Sequence, residues 1–255
     1  MKSCIINGDD MKKLLAVLLA VFCAAPAFAV SDEFGGFAAY WDTGSLKPFT
    51  RDLGGILGSS TFHSGRSLGF SGFDVGANYA AQFYPSKGDT ILRNNGVKDF
   101  GLPWIQADIG LPFKIDGFIR GISYQGLTVA GGGLRYGLYS PSDKPWTPQV
   151  LVSVVGDSVV HQDFSASHFG ADLVASMGNP TVTPYVGAGF DRTRLEAHVN
   201  SASDPTALAG TSATTLESRF TAGVRVKPFQ FTYLDVAYNC MHGQSGAEAG
   251  LGVRF

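Results

Sequence analysis

The chain has 255 residues, a formal net charge of −2, 16% charged side chains, 45% hydrophobic residues and 33 glycines. Soluble proteins carry about 25% charged residues, so this composition suits strands that face something other than water. No basic stripe points to nucleic acid and no acidic block to a solvating tail, and the length allows one or two domains with a large core.

The N-terminus reads as a processing signal. "MKKLLAVLLAVFCAAPAFA" has Lys12 and Lys13, an apolar run from Leu14 and the small-residue site Ala27-Phe28-Ala29, which predicts a signal peptide over residues 1–29 with Met11 as the initiator. Phe22 before Cys23 is too large for lipoprotein processing. Removal of the signal leaves Cys240 as the sole cysteine, so no intramolecular disulfide can form. After the signal no apolar run reaches 18 residues, which excludes a spanning helix.

Residues 30–66 lack long alternation. "SLKPFTRDLGGILG" spaces Leu46, Phe49 and Leu53 by three and four, with Pro48 in a first turn and Gly54-Gly55 as a stop; a short amphipathic helix is expected. Two placements follow: a periplasmic segment beside the rim, or a plug entering the barrel mouth. "TFHSGRSLGF" offers an extra strand.

Period-two alternation fills the remainder, residues 67–255. In "GFDVGANYAAQF", Phe73, Val75, Ala77, Tyr79, Ala81 and Phe83 oppose Asp74, Gly76, Asn78 and Gln82. In "IQADIGL", Ile105, Ala107, Ile109 and Leu111 oppose Gln106 and Asp108. Weaker strands fall at 115–124, 127–139, 149–156 and 182–196. "HFGADLVASM" sets Phe169, Leu173 and Met177 against His168, Asp172 and Ser176, and "LESRFTAGVRV" sets Leu216, Phe220, Ala222 and Val224 against Glu217, Arg219, Thr221 and Arg225. "TYLDVAYN" and the terminal "GAEAGLGVRF" repeat the pattern, with Asp235, Glu248 and Arg254 on the polar parity.

The strands are long enough to cross a bilayer, which takes about 9–11 tilted residues. Their polar faces are rich in Gly, Ala, Ser and Asp rather than the Lys, Thr and Glu of a soluble β-sandwich, the competing fold. Small residues suit the narrow interior of a closed barrel, and an Arg or Lys facing mid-membrane lipid would cost about 2–4 kcal/mol. Asp74, Asp108, Arg135, Asp172, Glu217, Arg219, Arg225, Asp235, Glu248 and Arg254 are therefore expected to face the lumen.

Short turns are expected at 112–117, 140–146, 178–181 and 227–230. Longer outer loops are expected at 84–103, 156–163, 198–215 and 241–246, with the pair near 125 short. Tyr84, Trp104, Phe113, Trp146, Phe164, Tyr185, Phe229, Tyr238 and Phe255 lie near strand ends, as interfacial girdles would. Two stretches resist: in "IDGFIRGISY" Arg120 shares parity with Phe118, Ile122 and Tyr124, and in "GFDRTRLE" Asp191 and Arg192 are adjacent and are placed above the membrane rim.

The signal peptide, the alternating strands, "TPYVGAGFD" and the ending "GLGVRF" together resemble bacterial outer-membrane β-barrel proteins; "PYVGAG" resembles a strand of small barrels of the outer-membrane protein A type. The extra N-terminal segment departs from a simple eight-stranded barrel. The resemblance implies an all-β, antiparallel up-and-down transmembrane barrel of about ten strands, with eight or twelve as alternatives, plus a short N-terminal helix. It also implies an outer-membrane location and lipid around the barrel, with periplasmic chaperones in transit. The barrel assembly machinery would read Leu251, Val253 and Phe255 in the last strand.

Catalytic chemistry is thinly marked. Barrel lipid hydrolases pair a His with a Ser two residues on, so that both leave one face. His242 and Ser245 are three apart, which on a regular strand sends them to opposite faces. His63, His161, His168, His198 and His242 lack metal-ligand spacing, and no cofactor motif is present; "VAGGGLRYG" is read as a glycine-rich strand beside a bulky neighbour. Ten strands lie near the size that side chains fill, which disfavours an open general porin. The leading expectation is a non-enzymatic barrel with a structural or surface-interaction role. A narrow channel for ions or small apolar solutes is the first alternative, and an outer-membrane lipid hydrolase the second.

Overall fold

The computed structural model describes residues 32–141 and 144–255; the proposed signal peptide lies outside them. Ten antiparallel strands form a closed barrel in sequence order: β1 Phe73–Gln82, β2 Phe100–Gly110, β3 Ile115–Tyr124, β4 Leu127–Tyr139, β5 Thr147–Val160, β6 Phe164–Gly178, β7 Val182–Ala197, β8 Ser212–Val226, β9 Thr232–Met241 and β10 Gln244–Arg254. Closure is made by β1 against β10, with Asp74 opposite Arg254, Ala77 opposite Leu251 and Gln82 opposite Gly246. Phe73 and Phe255 exchange backbone hydrogen bonds of 3.2 and 2.8 Å just beyond it. A closed sheet leaves no backbone edge to hydrocarbon.

The outward parity is apolar around the wall. Ile105, Ile119, Leu134, Phe169, Leu173, Val186, Phe190, Leu216, Phe220 and Val236 are all more than half exposed. A continuous apolar belt of this extent exceeds what a soluble monomer shows to water and fits a bilayer. Among the described residues no helix is long and apolar enough to cross a membrane; the strands cross it.

The connections 83–99 and 198–211 are long, and 125–126, 161–163 and 242–243 at the same end are tight. Short turns at 111–114, 179–181 and 227–231, with the described residues 140–141 and 144–146, occupy the other end. By the usual asymmetry of such barrels the long-loop end is the outer one. The expected loops 156–163 and 241–246 prove to be mostly strand: β5 runs to Val160, and β9 and β10 meet at His242-Gly243. Alternation there is masked by Gly156, Asp157 and the polar "HGQSG" run.

The expected periplasmic segment does not lie beside the inner rim: residues 32–65 enter the barrel, and only 66–72 reach that rim, beside the end of β2. Helix α1 (Phe37–Tyr40) and helix α2 (Leu46–Gly58) sit inside the outer mouth. There Phe34, Phe37, Trp41, Phe49, Leu53 and Ile56 pack in one buried cluster with Leu127, Val129, Val159, Phe164 and Leu195 of the wall. A rim position would leave those aromatic side chains in water, whereas burying a large apolar side chain stabilises by about 1.5–3 kcal/mol. Residues 59–72 then run without strand structure through the interior to the start of β1, so "TFHSGRSLGF" adds no strand. Ten strands enclose more space than their own side chains fill, and the N-terminal segment takes up the difference.

The expected stop at Gly54-Gly55 is not one, since α2 continues to Gly58. A side chain at Gly54 would collide with Thr193, and one at Gly58 with the Asp191 carboxylate. These glycines set how closely the helix approaches β7, and that approach outweighs their helix cost of about 1 kcal/mol each.

The inward face of β3 also becomes intelligible. Ile122 and Tyr124 pack against the plug cluster, Phe118 lies under the Arg135 guanidinium at 4.4 Å, and Arg120 reaches the ion-pair layer. One parity carries both characters because the strand passes from a polar mid-lumen to an apolar plug. Three girdle assignments are corrected likewise: Trp104, Phe164 and Tyr185 are at most 2% exposed. Each shares parity with polar lumen residues and points inward; Phe164 and Tyr185 lie near strand ends, whereas Trp104 is mid-strand because β2 begins at Phe100. Tyr84, Phe113, Trp146, Phe229, Tyr238 and Phe255 are exposed at the rims.

Candidate functional site in the barrel interior

The lumen is organised in three levels along the threaded segment. At the outer end α2 meets the loop 83–99, which carries helix α3 (Thr90–Asn94). Asp52 of α2 accepts hydrogen bonds from the Ser86 amide at 2.7 Å and the Ser86 hydroxyl at 2.5 Å. His242 Nε2 lies 3.3 Å from Asp52 and 3.1 Å from Gln82 Oε1, and Asp89 caps α3 by accepting from the Leu92 amide. Arg51 pairs with Glu217 at 2.9 Å.

The middle level is a set of buried charges. Arg219 bridges Asp172 at 2.8 Å and Asp191 at 2.9 Å, and Asp172 also accepts from the Thr61 hydroxyl at 3.0 Å. Arg120 holds Asp157 at 2.6 Å and donates to the carbonyls of Ser59 (2.9 Å) and Leu57, with its guanidinium 4.5 Å from the Trp104 ring centre. One cation thus satisfies carbonyls left free at the C-terminus of α2, where positive charge is favoured. Glu248 accepts from the Ser60 amide at 2.7 Å, the Ser60 hydroxyl at 3.1 Å and Asn239 at 3.1 Å.

The inner level receives residues 61–68. Arg135 donates to the Thr61 carbonyl at 2.8 Å and pairs with Asp108 at 3.2 Å. His63 Nδ1 lies 3.1 Å from Asp235, the Tyr233 hydroxyl donates to Asp74 at 2.7 Å, and Arg225 stacks 4.2 Å over the Tyr233 ring. Asp116 accepts from the Leu68 amide at 2.9 Å, and Arg254 reaches the Ser67 and Leu68 carbonyls at 3.5 and 3.4 Å.

The ten expected lumen residues therefore all project inward, eight of them buried and Glu217 and Arg254 half-buried. Sequence reasoning missed Arg120, Asp116, Asp157 and Asp191. Arg120 was visible as a parity conflict, and Asp116 shares its parity. Asp157 fell in a stretch read as loop. Asp191 was placed above the rim, whereas it is its neighbour Arg192 that faces outward there. In "VAGGGLRYG", side chains at Gly131 and Gly133 would strike the Asp157 carboxylate and the Phe118 ring, so these glycines make room for the layer.

His242 and Ser245 are not brought together: His242 meets Asp52 and Gln82 inside, whereas the exposed Ser245 hydroxyl bonds Tyr238 at 2.6 Å on the outer wall. Among the described residues no three His, Cys, Asp or Glu side chains converge to hold a metal ion.

The outer latch titrates. Burial, with the Asp52 carboxylate adding to it, pushes Asp89 up to about 8. Its folded value lies above the ordinary 3.8, so this contribution to stability is complete below that pH, declines as pH rises, and is lost above about 8. Burial also pushes Glu33 up to about 7 and His242 below its ordinary 6.5, so above pH 7 Asp89 dominates. Hydrogen exchange of the α2 amides should accelerate by up to about tenfold between pH 7 and 8, beyond the intrinsic base dependence. Asp89→Asn, which keeps the cap acceptor, should abolish that excess; an unchanged pH profile would contradict the latch.

No protein-family model and no curated protein sequence matches the chain. Among solved structures, the N-terminal β-barrel domain of Pseudomonas aeruginosa OprF aligns at 13% identity and TM-score 0.39, covering 73% of this chain and 99% of that one. Ail, the attachment invasion locus protein of Yersinia pestis, aligns at 13% identity and TM-score 0.31, covering 73% and 99%. Neisserial surface protein A aligns at 18% identity and TM-score 0.30, covering 71% and 95%. On its own geometry of closed sheet, apolar belt and charged interior, the chain is a ten-stranded transmembrane β-barrel whose lumen is occupied by its own N-terminal segment.

Proposed function

We propose that this is a non-enzymatic envelope barrel that presents a preformed surface at its outer end. The observation that carries this reading is how the N-terminal segment and the two long loops lock together there. Thr43 donates to Asp204, Ser203 donates to the Trp41 carbonyl at 3.0 Å, the Ala202 amide donates to the Ala38 carbonyl at 3.2 Å, and Asn95 donates to the Asp32 carbonyl at 2.6 Å. A surface fixed in advance loses less entropy on binding a partner. The filled lumen supports a closed barrel over the narrow-channel alternative.

Leu208, 56% exposed at the tip of 198–211, and Asn179 in an inner turn test the orientation. In a Cys240→Ser background, Leu208→Cys should react with a membrane-impermeant maleimide on intact cells and Asn179→Cys should not. The reverse pattern would overturn the proposal.

The pattern of the last strand supports a further part of the reading, delivery by the barrel assembly machinery. Leu251 and Val253 share the outward parity with the exposed Phe255. Deleting Phe255 should lower the heat-modifiable, folded fraction in membranes severalfold without changing the fold of protein refolded in detergent. Normal assembly in cells would contradict that role.

A further inference from the structure

Every arginine of the middle level and of the outer lumen has a carboxylate partner within 4.0 Å: Arg51, Arg120 and Arg219 are ion-paired, as is Arg135 of the inner level with Asp108. Arg225, Lys227 and Arg254 at the inner mouth differ. A cavity of about 220 Å³ opens there among the short turns and strand ends, lined by Arg225, Lys227 and Arg254 together with Arg66, Gln149 and Thr183. Among the described residues no carboxylate lines it, and none lies within 4.0 Å of Arg225, Lys227 or Arg254. Asp74, Asp108 and Asp116 lie in an adjoining, smaller pocket that Arg225 and Arg254 also line, more than 4.0 Å from both cations, where they are bonded to Tyr233, Arg135 and the Leu68 amide, while Asp235 faces His63.

Arg225 is 95% buried, since its relative exposure is 5%, and its Nε has no hydrogen-bond partner. A buried guanidinium with an orphaned donor is costly unless something accepts from it. Tyr233 covers one face of the guanidinium and fixes its plane, which leaves its edge for an acceptor. Lys227 is pushed down to about 8 by burial first and then by Arg254, Arg225 and Arg66, with Asp74 acting against them.

We propose that this cavity binds a phosphoryl oxyanion, with Arg225, Lys227 and Arg254 as its cationic ligands. Two guanidinium forks match the tetrahedral oxygens of a phosphate better than a lone carboxylate. Three converging cations also suit a dianion better than a monoanion. The position, at the inner rim beside the end of the apolar belt, allows either a free phosphate from the periplasm or the phosphate of an inner-leaflet lipid headgroup.

Both sources are tested with the full mature barrel. In zwitterionic detergent at constant ionic strength, inorganic phosphate is titrated by calorimetry against wild type, Lys227→Gln and Arg254→Gln, with heat-modifiable migration verifying each fold. In parallel, phosphatidylglycerol is added to phosphatidylcholine nanodiscs and the Lys227 side-chain titration is followed by NMR. Saturable phosphate binding, weakened at least about tenfold in each variant, supports a free oxyanion. No phosphate heat but an upward Lys227 shift with phosphatidylglycerol, weaker in Arg254→Gln, supports the headgroup. Absence of both responses, or responses unchanged by the substitutions, would overturn the proposal, because the cations would then be solvated rim charges.

Discussion

Arg219→Met should lower the unfolding free energy of the refolded barrel by at least about 3–5 kcal/mol, the usual cost of removing one partner of a buried ion pair. The expectation lies at the upper end, because Arg219 is 1% exposed and serves two aspartates, Asp172 and Asp191. Its removal strands two negative charges in the same interior layer. Urea unfolding in lipid vesicles reads the loss directly. Because the penalty arises from stranded charge, adding Asp172→Asn and Asp191→Asn to Arg219→Met should restore part of it. Equal stability of Arg219→Met and wild type would show that the middle level is hydrated rather than sealed.

The second large effect concerns Arg120, the side chain that joins plug and wall. Its loss breaks the pair with Asp157 and frees the carbonyls of Leu57 and Ser59. The double variant Arg120→Met with Asp157→Asn removes the pair without leaving a stranded charge, so what remains is the attachment of α2. About 1.5–3 kcal/mol is expected for hydrogen bonds from a charged donor, and each 1.4 kcal/mol corresponds to a tenfold change. Hydrogen exchange of the α2 amides should therefore rise by at least about tenfold while the strand amides stay protected. Arg120→Lys should not rescue, since one ammonium cannot span a carboxylate and two carbonyls. Unchanged exchange in the double variant would mean that the aromatic cluster around Phe37 and Phe49 alone holds the helix.

The wall of this protein is legible in its sequence because lipid and lumen impose period-two chemistry on each strand. That is why Phe73, Ile105, Phe169 and Leu234 fall on one face and Asp74, Asp108, Asp172 and Asp235 on the other. His242 and Ser245 do separate, though not by strand parity, because His242 sits in the β9–β10 turn and only Ser245 lies on a strand. The plug was far less legible. Its contacts are made by segments distant in sequence, such as Arg120 with Ser59, and no local spacing encodes them. Trp104, Phe164 and Tyr185 show the same limit: proximity to a strand end suggested an interfacial ring, while parity, the stronger signal, placed them inside. Gly54-Gly55 read as a helix stop because the close approach of Gly54 to β7 cannot be seen without β7.

The account rests on a lumen sealed by residues 32–68. Single-channel recording in planar bilayers tests that most directly, comparing the intact folded protein with a variant lacking residues 32–66 whose fold is verified by heat-modifiable migration. The intact protein should stay silent and the deletion should give stable ionic steps. Well-resolved steps from the intact protein would contradict the sealed barrel and favour the narrow channel.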